Sequence, residues 1–342
     1  MVNRWMESWD YLATADIPKR YEVTTIAANV SIGASGRNGT SALHLTHTNA
    51  GVAKTLDGQA TWYTGFWVKL ASIPSGERTL LSFYGTDGTK HVTFAIESTG
   101  LIMAYRGNAG AALLATSTFA FTAGVGVYLE FKATISDTVG EVVLKVNGST
   151  DATLNTSSLD TRNGGAAATA AQIELFSGTD QTFNIDIDDW YINDATGGVD
   201  DNFWGDIRVV AKSVDGAGNS AQFTPSTGSN WQNVDDATPN GDTDYNESST
   251  VNHIDSMTTA ALGVTGTVKG VNLLAYARKT DAGVGSLAPL WRISGTDYPG
   301  TGVTLSTDYT YVSQLYRVSP ATSSAWTTSE IDGAEIGYKR TA

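Results

Sequence analysis

From Val127 to Ile135 the chain alternates apolar and polar residues. Val127, Leu129, Phe131, Ala133 and Ile135 fall on one parity, and Tyr128, Glu130, Lys132 and Thr134 fall on the other. A period of two belongs to an extended strand, whose successive side chains leave opposite faces, whereas apolar residues on a helix recur every three or four positions. Val142, Leu144 and Val146 repeat the pattern, and Asn147-Gly148 after them supplies the pair of positive-φ residues that closes a tight hairpin. Further strands are expected at Trp62 to Leu70, Thr79 to Tyr84, His91 to Ile96, Leu101 to Tyr105, Ile173 to Phe176 and Phe183 to Ile192, separated by Gly, Ser, Asp and Asn clusters. Segments with helical period are scarce. The expected fold is all-β, a sandwich or jelly roll rather than a βαβ fold.

The last of these strands changes parity within itself. Phe183, Ile185 and Ile187 share one face while Trp190 and Ile192 take the other, so an extra residue at Asp188 or Asp189 is needed to keep all five inward. That is the pattern of a β-bulge. A Gly- and Asp-rich stretch follows, and Ile207, Val209 and Ala211 then begin a new alternating set. The expected division is a sandwich over 1–196, a linker over 197–206 and a smaller β-rich domain over 207–342. Strands in the second part are expected at Ile207 to Lys212, Val268 to Lys279, Leu287 to Ile293, Tyr309 to Val318 and Ala334 to Lys339. Between them Thr224 to Ser249 is polar, acidic and aperiodic, and a loop of that length in a compact domain is functional or pinned by a partner.

Composition narrows the function classes. The 342 residues carry 35 acidic against 21 basic groups, a net charge of −14, which leaves few cations to displace counterions from nucleic-acid phosphates. Charged residues make up only 16% of the chain, so Thr, Ser, Asn and Gly supply most of the wetted surface. There is no cysteine, hence no disulfide and no thiolate zinc site. Met1 to Leu12 lacks the apolar run of a signal peptide, and no stretch approaches the ~18 apolar residues of a membrane span. Neither nucleic-acid binding nor membrane insertion is expected.

Four fragments carry a resemblance: Glu7-Ser8-Trp9-Asp10-Tyr11, with Trp9 to Tyr11 as an expected first strand; Tyr63-Thr64-Gly65-Phe66-Trp67-Val68; Tyr128-Leu129-Glu130-Phe131-Lys132 followed by Gly140 to Gly148; and Ile187-Asp188-Asp189-Trp190-Tyr191. In order and spacing, residues 5–194 resemble the concanavalin A-like, laminin G-like jelly roll of many tailed-bacteriophage virion proteins. The runs Trp204 to Val209, Gln222 to Pro225, Asn230-Trp231, Ala275 to Lys279 and Gly295 to Tyr298 are similar to a C-terminal region that accompanies such jelly rolls. The resemblance implies a non-enzymatic structural component of the virion, a capsid decoration, head fiber or tail protein. Such a protein would be assembled in the host cytoplasm, exposed on the particle as a homo-oligomer, and in contact with other virion proteins and host-surface glycans. Laminin G-like folds sometimes hold Ca²⁺ at one rim, and here Asp87, Asp180 and Asp186 stand near strand ends where oxygens can converge.

The residues themselves offer few catalytic constellations. His44, His47, His91 and His253 show no ligand spacing, and His44 and His47 fall on opposite faces of a strand. The run Asp186-Ile187-Asp188-Asp189 lacks the glutamates of a glucanase strand, so its expected role is to accept backbone donors at the bulge. Asp235, Asp236, Asp242 and Asp244 lack the spacing and the central Gly of an EF-hand loop, and Gly33 to Gly39 and Gly164-Gly165 lack the Lys-Ser/Thr ending of a phosphate loop. Tyr63 and Trp67 share the face opposite the core, where a flat ring can stack on the apolar face of a sugar or be covered by neighbouring chain. A carbohydrate-binding adhesion module is therefore the alternative reading, with a glycan depolymerase behind it.

Overall fold

The computed structural model describes residues 3–23, 27–46, 50–165, 167–176, 184–198 and 201–342. The chain is all-β and divides into two compact units. One comprises Met1–Asp10 and Thr14–Val209, the other Tyr11–Ala13 and Val210–Ala342.

The first unit is a jelly-roll sandwich. Among the described residues one sheet runs in the order Ser149–Leu159, Gly140–Val146, Gly126–Thr134, Thr61–Leu70, Ile185–Asp194, Ala42–Leu45, Val30–Gly33, with Asn3–Glu7 also paired to Ile185–Asp194. The facing sheet runs Ala112–Ala120, Leu101–Arg106, Lys90–Ile96, Arg78–Tyr84, Ala170–Leu175, Val52–Gln59, Glu22–Val23. All pairings are antiparallel, so each strand contributes one parity to the core. Phe66, Phe131 and Phe94 meet there, with Phe131 5.7 Å from Phe66 and 4.7 Å from Phe94, and all three are fully buried. Asn147 and Gly148, at φ 48° and 80°, make the expected hairpin turn.

The first strand lies at Asn3–Glu7, not at Trp9 to Tyr11. Trp9 instead takes a left-handed φ of 58°, which turns its ring inward to stack on Trp190 at 6.3 Å and 9°. Glu7 holds this corner: its buried carboxylate accepts from the Tyr21 hydroxyl at 2.9 Å, from Arg20 at 3.3 Å and from the Ser8 and Trp9 amides. The expected bulge is present, since the register against Thr61–Leu70 shifts between Asp188 and Tyr191 and Asp189 has φ 53°. Phe183, the first residue of that expected strand, lies outside the described residues.

The boundary between units falls after Val209, not at 206/207. Ile207 to Lys212 has no strand partner among the described residues, and the first strand of the second unit is Val214–Ala221. That unit is a smaller sandwich-like body. Its main sheet runs Val214–Ala221, Ile254–Thr259, Glu335–Arg340, Ser286–Ile293, Thr296–Pro299, with Val303–Thr304 also on Ser286–Ile293, and a two-stranded ribbon pairs Val271–Ala277 with Thr310–Tyr316. Leu273 joins Trp291 and Trp326 in one cluster, and Val312 joins Phe223 and Leu287 in another, so the ribbon supplies residues to both cores. The long 224–249 segment is pinned by side-chain amides. Asn230 donates to the fully buried Asp255 at 2.8 Å, Asn233 to the Tyr245 carbonyl at 3.1 Å, and Asn246 to the Tyr338 hydroxyl at 2.7 Å.

Candidate functional site

The outer face of the larger sheet carries most of the chemistry. Across it Trp67 faces Tyr128, Gly65 faces Glu130 and Tyr191, and Tyr63 faces Lys132 and Asn193. Gly65 is required here, because a Cβ would come within 2.6 Å of the Tyr191 ring and 2.9 Å of Glu130 Cγ. Into that space Glu130 turns a fully buried carboxylate, whose Oε1 accepts the Tyr191 hydroxyl at 2.6 Å and the Gly205 amide at 2.7 Å. Burial, with the Glu130 charge alongside, holds the Tyr191 phenol well above the usual range, so it stays a donor.

What covers this face is the 202–209 segment, expected as linker and first strand of the next domain. Trp204 stacks on Tyr191 at 4.9 Å and 22°, and its amide donates to the Tyr191 hydroxyl at 3.1 Å. The Asn202 carbonyl accepts from Asn193, the Ile207 carbonyl from Arg37 at 2.9 Å, and the Val209 amide donates to Asp189 at 2.7 Å. The segment is a strap on the first unit. It reads as a strand because any extended chain with one buried side alternates, whether or not a neighbour completes its ladder.

The two aromatic candidates therefore part company. Trp67 lies half-buried in the cluster of Tyr128, Tyr191 and Trp204, over Gly126, whose missing Cβ would fall 2.1 Å from the indole. Tyr63 stays at the rim. Its ring meets Phe203 edge to face at 5.0 Å, with Lys132 5.6 Å from the Tyr63 ring and Lys145 4.6 Å from Phe203. Lys132 is also paired with Glu141. Both rings are half-buried with a lysine over one face of each, so apolar ring, charged donors and an acceptor lie together at this rim. Phe203 was missed in the sequence because it sits in the presumed linker.

At the bulge Asp188 accepts from the amides of Asp189 at 2.7 Å and Arg37 at 2.8 Å and from the Thr40 hydroxyl at 3.0 Å. Burial, with Asp189 next to it, pushes the Asp188 carboxyl up to about 7, and burial pushes Asp189 up to about 6 against the opposing pull of Val209 and Arg37. Arg37 bridges this pair to the strap, 3.4 Å from Asp189 and 2.7 Å from Asp206. These carboxylates fasten loop 37–40 and the strap.

Of the three expected calcium ligands, the two that are described, Asp87 and Asp186, lie on different sheets and are not brought together. Asp186 sits in the larger sheet and is occupied by His44 Nδ1 at 2.6 Å, the Ser35 hydroxyl at 2.6 Å and Lys69 at 3.4 Å. Asp87 lies in the hairpin loop after Arg78–Tyr84 on the facing sheet and accepts the Thr89 amide at 2.9 Å. Asp180 is outside the described residues, as is His47. Among the described residues no group of three or more His, Cys, Asp or Glu is arranged to hold a metal ion. His91, beside Asp87, is buried and accepts the Asn163 amide at Nδ1. A neutral ring must then carry its proton on Nε2, which disqualifies that nitrogen as a metal ligand.

In the second unit Tyr276 stacks on Tyr309 at 4.7 Å and 5°, and Tyr311 lies 4.8 Å from Tyr276. Arg278 stands 5.0 Å from the Tyr309 ring and is bound to both oxygens of Asp242, which also accepts the Tyr309 hydroxyl. These ring faces are spent on one another and on Arg278, so this ladder is a brace for the 240–244 loop and not an open platform.

No protein-family model matches the chain, and no curated protein matches its sequence. Solved structures similar to it include a Trypanosoma rangeli sialidase in complex with the inhibitor DANA, at 13% identity and TM-score 0.35. That likeness covers 48% of this chain but only 27% of the sialidase. An alginate lyase Aly36B mutant in complex with alginate trisaccharide is 13% identical with TM-score 0.41 over 55% of this chain and 96% of its own. The cellulose induced protein Cip1 is 13% identical with TM-score 0.38 over 51% and 86%. The expectation of a non-enzymatic chain is corrected by this finding: a sialidase and an alginate lyase are enzymes, and a β-sandwich without a legible catalytic motif is not thereby excluded from catalysis.

Proposed function

We propose that this chain is a surface protein of a tailed-phage particle, present in several copies beside other virion proteins, and that it contacts host-surface glycans. The observation that carries glycan contact is the half-buried Tyr63–Phe203 pair edged by Lys132, Glu141 and Lys145. A pyranose needs an apolar ring face and flanking hydrogen-bond partners, and this rim supplies both. The virion assignment is supported by the resemblance of residues 5–194 and of the Trp204 to Tyr298 runs.

The test has two arms. On a glycan array the wild-type chain is expected to bind, and Tyr63→Ala and Phe203→Ala to weaken that binding by about fivefold, the loss expected from one aromatic contact of about 1 kcal/mol. A flat array for the wild type overturns glycan contact. Cryo-electron microscopy of purified particles is expected to place the chain on the head or tail, and its absence from every particle overturns the virion assignment.

A further inference from the structure

Asparagine followed by glycine occurs four times, at Asn38-Gly39, Asn147-Gly148, Asn163-Gly164 and Asn240-Gly241. The chemistry of this dipeptide is intrinsic. The glycine amide nitrogen attacks the asparagine Cγ, ammonia leaves, and a five-membered succinimide closes. Water then opens the ring at either carbonyl, leaving aspartate or an isoaspartate whose backbone is one methylene longer. No oxidant or cofactor enters. The unhindered glycine nitrogen makes all four sequences chemically equivalent, so the fold decides which of them reacts.

Three of the four amide side chains are tied. Asn147 Oδ1 accepts the Tyr128 amide at 3.0 Å, Asn163 Nδ2 donates to the Lys90 carbonyl at 3.1 Å, and Asn240 Nδ2 donates to Asp244 at 2.6 Å. Each must break that bond before its Cγ can swing over the next nitrogen. Asn38 is different: it is exposed, it sits in a turn at φ 61°, and its side chain makes no hydrogen bond among the described residues. A Cβ placed on Gly39 would meet nothing within 4 Å, but the same is true at Gly148 and Gly164, so what sets Asn38 apart is its untied, exposed side chain and not open space at the glycine.

We propose that Asn38 is a site of spontaneous deamidation in the folded protein, with water as the co-reactant. The neighbourhood gives the reaction a consequence. Arg37 donates its amide to Asp188 at 2.8 Å and its guanidinium to Asp206 and the Ile207 carbonyl, while Thr40 donates to Asp188. A carboxylate at position 38 adds negative charge next to Asp188, Asp189 and Asp206, and the isoaspartate form lengthens the turn that aims Arg37. The strap loses its anchor at that end.

The full chain is held in mildly alkaline buffer, folded and in parallel in urea, and isoaspartate is quantified at the four sites by peptide mapping. In the folded protein Asn38 is expected to convert at least about tenfold faster than each of the others, because those require local opening. In urea the four rates are expected to converge. The aged protein is expected to show faster hydrogen exchange at 202–209, and Asn38→Ser, aged alongside, to show none of that change. The proposal is overturned if another site converts first in the folded chain, or if Asn38 stays intact over the period in which the denatured chain converts.

Discussion

Replacing Trp204 with alanine separates a strap from a linker. In a solvated linker the change touches nothing and shifts stability by no more than about 0.5 kcal/mol. In the structure Trp204 is only 7% exposed and its ring lies on Tyr191 at 4.9 Å. Truncating a buried tryptophan costs about 3–5 kcal/mol, to which the stacked pair contributes about 1. The loss does not stop at the ring. Without it the Gly205 amide has no reason to stay on Glu130, and a fully buried carboxylate that loses a donor is costly to keep. We expect about 4 kcal/mol, which in a unit of this size lowers the midpoint of thermal unfolding by about 10 °C. Because two units need not unfold together, hydrogen exchange at 126–134 and 185–194 assigns the loss to the first. A change below about 1 kcal/mol, or protection unchanged in those strands, would refute the reasoning.

Two further outcomes follow from buried carboxylates of opposite character. Asp188 and Asp189 have folded values above the usual 3.8, so their contribution to stability is present below that value and is lost as pH rises through about 6 to 7. Between pH 7.5 and 5 the wild type should therefore gain up to about 1.4 kcal/mol per pH unit relative to Asp188→Asn, which removes one of the two groups, and identical pH slopes for the two proteins in urea titrations would contradict the assignment. Asp151 is the reverse case. It accepts the amides of Thr118, Phe119, Thr153 and Leu154, which hold its carboxyl far below the usual range despite burial. Those contacts join the edge strands Ala112–Ala120 and Ser149–Leu159 of the two sheets. Asp151→Ala should cost about 3 kcal/mol or more at pH 7, and the difference from wild type should shrink as pH falls below 4; a constant difference down to pH 2 would argue against it.

What alternation revealed and what it hid have one physical origin. Period two reports that an extended chain has one dry side and one wet side, and it served well for Gly126–Thr134, Gly140–Val146 and the parity change that becomes the bulge at Asp189. It served badly for Ser149–Leu159, where Asp151 and Leu154 are the buried residues among Thr, Ser, Ala and Asn, because an edge strand needs little apolar surface to hold its place. In Ile207 to Lys212 the same signal came from a chain with no ladder at all among the described residues, whose Ile207 packs against the aromatic cluster of the first unit.

The candidate site was hidden for a related reason. Tyr63, Trp67, Tyr128, Glu130 and Tyr191 all carry the parity that ought to face water, yet Glu130 and Tyr191 are fully buried. Parity distinguishes two faces and is silent about what lies over each. The legible signal was composition rather than period: four aromatics on a nominally wet face cannot all be left in water cheaply, and the chain beyond the last strand contains Phe203 and Trp204, two rings in what otherwise reads as a polar linker. Apolar surface without a partner on one segment, matched by apolar residues without a core on the next, is an argument for contact between them. By the same argument the margin where the strap's Phe203 meets Tyr63, both half-buried, keeps apolar surface available to a ligand, whereas Trp67 is packed in the cluster with Trp204, which is why the glycan proposal rests there and not on Trp67.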